Sequence, residues 1–364
     1  MAPPPPAPLS QRPSDPIPGP AAWHGRELSG STAWIRQIPA AALDELHAAL
    51  GLVRRRRLAW RDISRDDFPL PEFSGTLADV SRELEEGRGV VLLRGLPVDR
   101  YAEDELRQIF WGIGAHLGVA RHQNAHGELL GEVRDEARLY GAVRQPAAPR
   151  GEPGRPPTSR ARARSSGPLR FHTDRTDVVG LFCVRKARSG GISKVVSSVA
   201  VHNAILERRP DLHALLCQDY YRSREGEEVA GERRHYALPV FAVRDGHFTS
   251  QYSRTFVEAA QRISEVPRMS AAQDEALDLL AEVAEELCLW MTFEPGDIQL
   301  LNNHVIYHAR TAYEDDEAAD SDRLLLRLWL SVPNSRPLPP GFEGLWGSIE
   351  AGALRGGIAQ APSS

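Results

Sequence analysis

His172-Thr173-Asp174 sets an imidazole and a carboxylate two positions apart. In an extended strand residues i and i+2 point to the same face, so both side chains can reach one metal ion while Thr173 turns away. A third ligand then has to come from another strand brought alongside. The stretch Phe293-Glu294-Pro295-Gly296-Asp297-Ile298-Gln299-Leu300-Leu301-Asn302-Asn303-His304-Val305-Ile306-Tyr307-His308-Ala309-Arg310 is suited to supply it. Pro295-Gly296-Asp297 is a turn signal, and Ile298, Leu300, Val305 and Ile306 form an apolar run of strand length, which puts His308 at or beyond a strand end near buried surface. The separation of His172 from His308 is far too wide for a zinc finger. It suits two strands that meet in space, so the ligands require a β-barrel.

Two neutral imidazoles and one hard carboxylate make the facial triad of non-haem Fe(II) sites, which leaves coordination positions open for chemistry. The chain has three cysteines, too few for a four-thiolate zinc site. An HxD triplet alone is weak, since a surface strand often carries these residues without a metal. His304 competes with His308 as ligand and Asp177 with Asp174. Asp177 lies five residues from His172, on the opposite face of a regular strand, and is rejected.

Taken together, His172-Thr173-Asp174, Asn303-x4-His308-x-Arg310, the pair Gly190-Gly191 before Ser193, and Arg323-x3-Arg327 resemble the taurine dioxygenase-like (clavaminate synthase-like) Fe(II)/2-oxoglutarate oxygenases. The resemblance covers roughly residues 85 to 335. It implies a double-stranded β-helix (jelly-roll, cupin-like) core, mainly β with flanking helices. It also implies His172, Asp174 and His308 as iron ligands and catalytic centre, and Ser193 and Arg323 as contacts to 2-oxoglutarate, with Arg327 as the competing anchor. The activity implied is a dioxygenase that hydroxylates a small organic metabolite while 2-oxoglutarate is decarboxylated to succinate and CO2, with O2 as oxidant. Desaturation, cyclisation and epoxidation use the same core and stay open. A departure is the acidic run Glu314-Asp315-Asp316-Glu317-Ala318-Ala319-Asp320-Ser321-Asp322, which lengthens the connection to Arg323 and leaves the choice between the two arginines open. A guanidinium suits either position, because its planar fork matches a carboxylate with two parallel hydrogen bonds. The bland alternative for Arg323 is a salt bridge to that acidic run.

Two rival classes stand beside this reading: a non-catalytic cupin-like ligand-binding protein, and a metal oxygenase that does not use 2-oxoglutarate. The complete ligand set argues against the first, and Arg323 with Ser193 against the second. For the organic substrate, Gln123, Asn124 and His126 upstream and Tyr252-Ser253-Arg254 downstream are candidates at the pocket mouth, each equally readable as structural.

Composition agrees with one catalytic domain over 21–340, preceded by a proline-rich segment over 1–20 and followed by a tail over 341–364. The 364 residues are 41% hydrophobic, enough to bury one large core. Nine prolines in the first twenty residues predict a disordered or polyproline-like start. No signal peptide and no uninterrupted apolar span of membrane length is visible, and the odd number of cysteines suits a reduced cytoplasm. A net charge of −5 gives no general attraction to nucleic acid or anionic membrane, and a homo-oligomer is left open. Between 141 and 170 an Arg/Pro/Gly-rich loop without aromatics reads either as an active-site lid or as a solvated insertion. Helices are predicted over 40–50, 77–86, 103–117 and 197–208. A further helix begins at the capping box of Ser270 and Gln273, a strand runs over 90–95, and Asp245-Gly246 marks a hairpin.

Overall fold

The computed structural model describes residues 12–136, 164–224, 233–315, 322–358 and 360. Two sheets carry the site. The larger runs in the order Ile35–Gln37, Val90–Arg94, Ile298–Asn302, Val178–Arg185, Leu324–Ser331 and Val119–Ala120, with Leu130–Val133 also paired to Leu324–Ser331. The smaller runs Leu289–Met291, Ser193–Ser197, Ile306–Arg310 and Leu169–His172, all antiparallel.

The period of two in the strands decides which face meets what. Val90, Leu92, Val179, Cys183, Leu325 and Trp329 point into one apolar cluster shared with Val195, Tyr307 and Phe171 of the smaller sheet. Their alternates Val91, Leu93, Val178, Phe182, Leu324, Leu326 and Leu328 point into a second cluster with the helices Ala40–Arg56, Phe73–Glu85 and Glu103–Leu117. The larger sheet is thus buried on both faces, which is why Leu324-Leu325-Leu326 can be continuously apolar. The helix Ala271–Leu287 starts at Ser270 with the expected reciprocal bonds to Gln273, and Ser197 caps Ser198–Arg208. Asp245 and Gly246, both with positive φ, turn the hairpin between Phe241–Arg244 and His247–Ser250. Among the described residues no helix is long and apolar enough to cross a membrane.

Three expectations change. The apolar run ending at Ile306 is not one strand: Ile298–Asn302 belongs to the larger sheet, Asn303 to Val305 turn, and Ile306–Arg310 belongs to the smaller. Asn302 makes the break, its side-chain oxygen accepting from the His304 N–H and its carbonyl from the Val305 N–H. His308 consequently sits in mid-strand and not at a strand end. Residues 12–20 are docked, against the expectation for 1–20, because the Asn203 side chain takes both the N–H and the carbonyl of Ile17. Residues 345–358 are packed onto the body, with Trp346, Arg355 and Ile358 buried. The acidic run over 316–321, most of the 141–170 loop and residues 1–11 lie outside the described residues.

Candidate metal centre

His308 is paired in register with His172 on one side and with Val195 on the other. Directly opposed residues of an antiparallel pair share a face, so the two imidazoles come together, with ring centroids 4.2 Å apart. Asp174 lies two residues past the end of Leu169–His172, so the two ligands do not share one extended strand as their spacing predicts; contacts from other segments place the carboxylate. The Asp174 backbone N–H donates to Asn303 Oδ1 at 3.0 Å, and the Thr173 N–H donates to the Tyr252 carbonyl. The turn that begins the His308 strand therefore holds the Asp174 backbone. Asp174 Oδ1 is 3.6 Å from His172 Nε2 and Oδ2 is 3.7 Å from His308 Nε2. One donor atom from each of the three residues falls within 4.8 Å of the others, a grouping that can hold a metal ion.

Protonation favours the same use. The His172 Nδ1–H donates to the Arg170 carbonyl at 3.0 Å, which leaves Nε2 with its lone pair on the Asp174 side. Burial, with His172 alongside, pushes His308 down to about 3, and burial also lowers His172. Burial alone would raise Asp174, but the Arg327 guanidinium and the two imidazoles outweigh it and hold the carboxyl below its usual range. Neutral imidazoles and an ionised carboxylate are the forms a divalent metal binds.

His304 and Asp177 form a separate buried pair at 2.9 Å, joined by Arg355 Nε at 2.8 Å and by Ser331 and Val332. Their polar capacity is spent there, away from the His172-Asp174-His308 group.

The inward face of Leu324–Ser331 continues the row of Arg323, Leu325, Arg327 and Trp329. Arg323 is 3% exposed. Among the described residues no carboxylate is within ion-pair distance of its guanidinium, which lies 3.5 Å from the Val133 carbonyl and 5.0 Å from the Tyr313 ring centroid; Asp315 accepts from the Arg323 backbone N–H and acts on the guanidinium electrostatically from beyond ion-pair distance. Burial lowers it from the usual arginine range. Gly191, at φ +65°, lies against it, and a Cβ there would stand 3.1 Å from Arg323 Nε. Ser193 begins its strand two residues later, buried, with Oγ 3.4 Å from the Gln299 amide. Arg327 is placed differently: Nη1 is 3.9 Å from Asp174 Oδ2 and Nε donates to Gln123 Oε1 at 2.7 Å.

Of the residues expected at the pocket mouth, Gln123 holds Arg327, its Nε2 also donating to the Arg327 and Leu129 carbonyls. Asn124 is occupied within its own loop by Glu128 and His126. The Arg254 guanidinium is held by Asp274, Asp278 and Glu258. Two further residues went unread in the sequence. Trp329 donates from Nε1 to Asp174 Oδ2 at 2.9 Å. Ser253 is bridged to His172 across an antiparallel pair and is 3% exposed; its Oγ has no partner among the described residues and does not cap the helix Arg254–Ala260 that follows it. Trp329 could have been found as the i+2 neighbour of Arg327; nothing local marks Ser253.

Residues 54–329 match the model of the taurine catabolism dioxygenase TauD, TfdA family. The chain belongs to this family. It is a non-haem dioxygenase dependent on Fe(II) and 2-oxoglutarate. Similar proteins include FR-33289 synthase of Streptomyces rubellomurinus, 30% identical over 90% of this chain and 94% of that protein. Another is the taurine hydroxylase-like protein SAT17 of Stachybotrys chartarum, 30% identical over 88% and 82%. The fold is shared with an asparagine oxygenase solved with Fe(II), hydroxyasparagine and succinate (TM-score 0.60, 16% identity, 82% of this chain and 93% of that one). It is shared too with the non-heme iron oxygenase OrfP solved with Fe and alpha-ketoglutaric acid (TM-score 0.56, 15% identity, 82% and 94%).

Proposed function

We propose that His172, Asp174 and His308 hold the Fe(II), that Arg323 and Ser193 receive 2-oxoglutarate, and that the enzyme hydroxylates a small organic metabolite. The two sheets are read as a double-stranded β-helix with the metal between them. The observation that carries the proposal is Arg323: a buried guanidinium without a carboxylate partner among the described residues is costly unless an anion arrives. The distal carboxylate of 2-oxoglutarate is such an anion, and a planar fork receives it with two parallel bonds. Gly191 makes room for the side chain, and Ser193 adds a hydroxyl on the same strand.

The iron, when bound, supplies the activation of O2 and the oxidising step; the protein supplies position and electrostatics. His172 is oriented by the Arg170 carbonyl, Asp174 is kept ionised, and Arg327, braced by Gln123, brings positive charge to the carboxylate side of the site. Ser253 adds an unpaired hydroxyl on the His172 face, suited to a hydrogen-bonding group of the substrate. The solved relatives hold hydroxylated asparagine and hydroxylated arginine, and a molecule of that scale is the proposed substrate class. Three free, buried cysteines fit a reduced cytoplasm.

Succinate release from 2-oxoglutarate by the iron-loaded enzyme, followed across amino acids and other small polar acids, tests this reading. The expectation is iron-dependent succinate without added substrate and a marked rise with one chemical class. Absence of iron-dependent succinate under every condition, from folded protein that retains iron, contradicts it.

A further inference from the structure

Trp329 donates its indole N–H to Asp174 Oδ2 at 2.9 Å, and Arg327 Nη1 stands 3.9 Å from the same oxygen. The Arg327 guanidinium also lies over the Trp329 ring, 5.3 Å from its centroid. Trp329 is buried on the inward face of Leu324–Ser331, and its register partner is Val179 in the strand Val178–Arg185. Asn303 fixes the Asp174 backbone and Trp329 fixes Oδ2, and among the described residues Oδ1 is the carboxylate oxygen without a hydrogen bond.

The coordination chemistry gives this arrangement a consequence. A six-coordinate iron with three single-atom protein ligands has three positions left. A 2-oxo acid chelating through two oxygens takes two of them, and one stays for O2. If Asp174 bound through both oxygens, it would compete for a position that the cosubstrate or O2 needs. Carboxylates bind metals in either mode, and hydrogen bonds from surrounding groups orient a ligand and tune its metal.

We propose that Trp329 is a positioning residue which, by occupying Oδ2, restricts Asp174 to binding through Oδ1 and so keeps the position that 2-oxoglutarate needs. This inference rests on the iron and 2-oxoglutarate reading above. The indole also carries the Arg327 guanidinium, so one side chain orders the ligand carboxylate and the cation beside it. Phenylalanine in its place would keep an aromatic ring and lose the donor.

The test is Trp329→Phe together with β-(3-benzothienyl)alanine installed at 329, an isostere of tryptophan in which sulfur replaces the N–H. Each metal-free protein is loaded anaerobically with Fe(II) and titrated with 2-oxoglutarate, the visible charge-transfer band giving the Kd. The same proteins loaded with Co(II) report coordination number through the ligand-field absorption. Circular dichroism of the metal-free proteins checks the fold, and the isostere keeps the test open where Trp329→Phe fails to fold. The expected result is a Kd for 2-oxoglutarate raised about tenfold or more in both variants, the lower end of the loss in metal affinity or activity that follows removal of a group orienting a metal ligand, with a changed Co(II) spectrum before 2-oxoglutarate is added. A Kd within threefold of the parent enzyme in the folded isostere overturns the role of Trp329. Absence of the band in the parent enzyme itself overturns the underlying cosubstrate reading, and the proposal with it.

Discussion

His172 and His308 face one another across an antiparallel pair in which each is the other's direct register partner. Their strands meet only through the fold, and the pairing continues the row outward to Val195 on one side and Ser253 on the other. The metal grouping is therefore a property of sheet register: a slip of one residue would turn one imidazole to the opposite face.

Arg323→Ala is expected to weaken 2-oxoglutarate binding by about 1.5–3 kcal/mol, roughly ten- to over a hundredfold, as for loss of hydrogen bonds to a charged partner. Arg323→Lys should recover only part of this, since an ammonium lacks the planar fork. Gly191→Ala should weaken it as well, through positive φ and the contact with Arg323 Nε. Isothermal titration of the metal-loaded, anaerobic proteins with 2-oxoglutarate checks all three; equal affinity in Arg323→Ala would remove that residue from the site.

Ser253→Ala is expected to raise the KM for the organic substrate by about 0.5–1.5 kcal/mol, or ~2- to 12-fold, the net worth of one ordinary hydrogen bond. Succinate formed without substrate should stay near the parent rate. Steady-state kinetics of both reactions decide this, and a parallel loss in the two would make Ser253 structural.

Stability should fall with acid because of a buried histidine pair, His202 and His213. His213 and His202 pack with centroids 4.7 Å apart among Phe241 and Phe248, and burial, with His202 alongside, pushes His213 down to about 4 while burial also lowers His202. A histidine whose folded value is depressed stabilises fully above its unfolded value near 6.5, and the contribution is lost as pH falls from there toward 4. His213→Leu should flatten the decline in thermal midpoint over that window by an amount equivalent to about 2–4 kcal/mol. An unchanged slope in the variant would place the acid sensitivity elsewhere.

Arg355→Met is expected to destabilise the fold by about 3–5 kcal/mol, because it leaves Asp177 buried with its cation removed. Arg355 also donates to the Glu350 and Arg336 carbonyls. Denaturant unfolding of the metal-free protein measures the loss, and a change under 1 kcal/mol would show that His304, Ser331 and Val332 suffice for that carboxylate.

Much of this was legible because strand periodicity is local. The Asp245-Gly246 turn and the Ser270 capping box each state their geometry within a few residues, and the spacing of His172 and Asp174 brings their side chains together even though Asp174 lies past the end of the strand Leu169–His172. What escaped depends on long-range partners. The sequence of Arg254 says nothing of Asp274 and Asp278, which hold its charge, and Gln123 reads as a pocket residue until the Arg327 side chain is beside it. The mid-strand place of His308 was missed because an Asn302-Asn303 break inside an apolar run gives way to a second sheet, and apolar periodicity does not record which sheet a residue joins. Arg355 was out of sight for the opposite reason, since a tail rich in Gly and Ala gives no apolar period by which its docking could be read.

The central claim is that His172, Asp174 and His308 hold an Fe(II) to which 2-oxoglutarate chelates, anchored by Arg323. Anaerobic titration of the metal-free enzyme with Fe(II) and then 2-oxoglutarate tests it most directly, with Asp174→Ala and Arg323→Ala in parallel. The account predicts a weak visible charge-transfer band in the parent enzyme, absent in Asp174→Ala and requiring much higher 2-oxoglutarate in Arg323→Ala. A folded parent protein that binds iron and gives no band, or an Asp174→Ala protein with the full band, would contradict it.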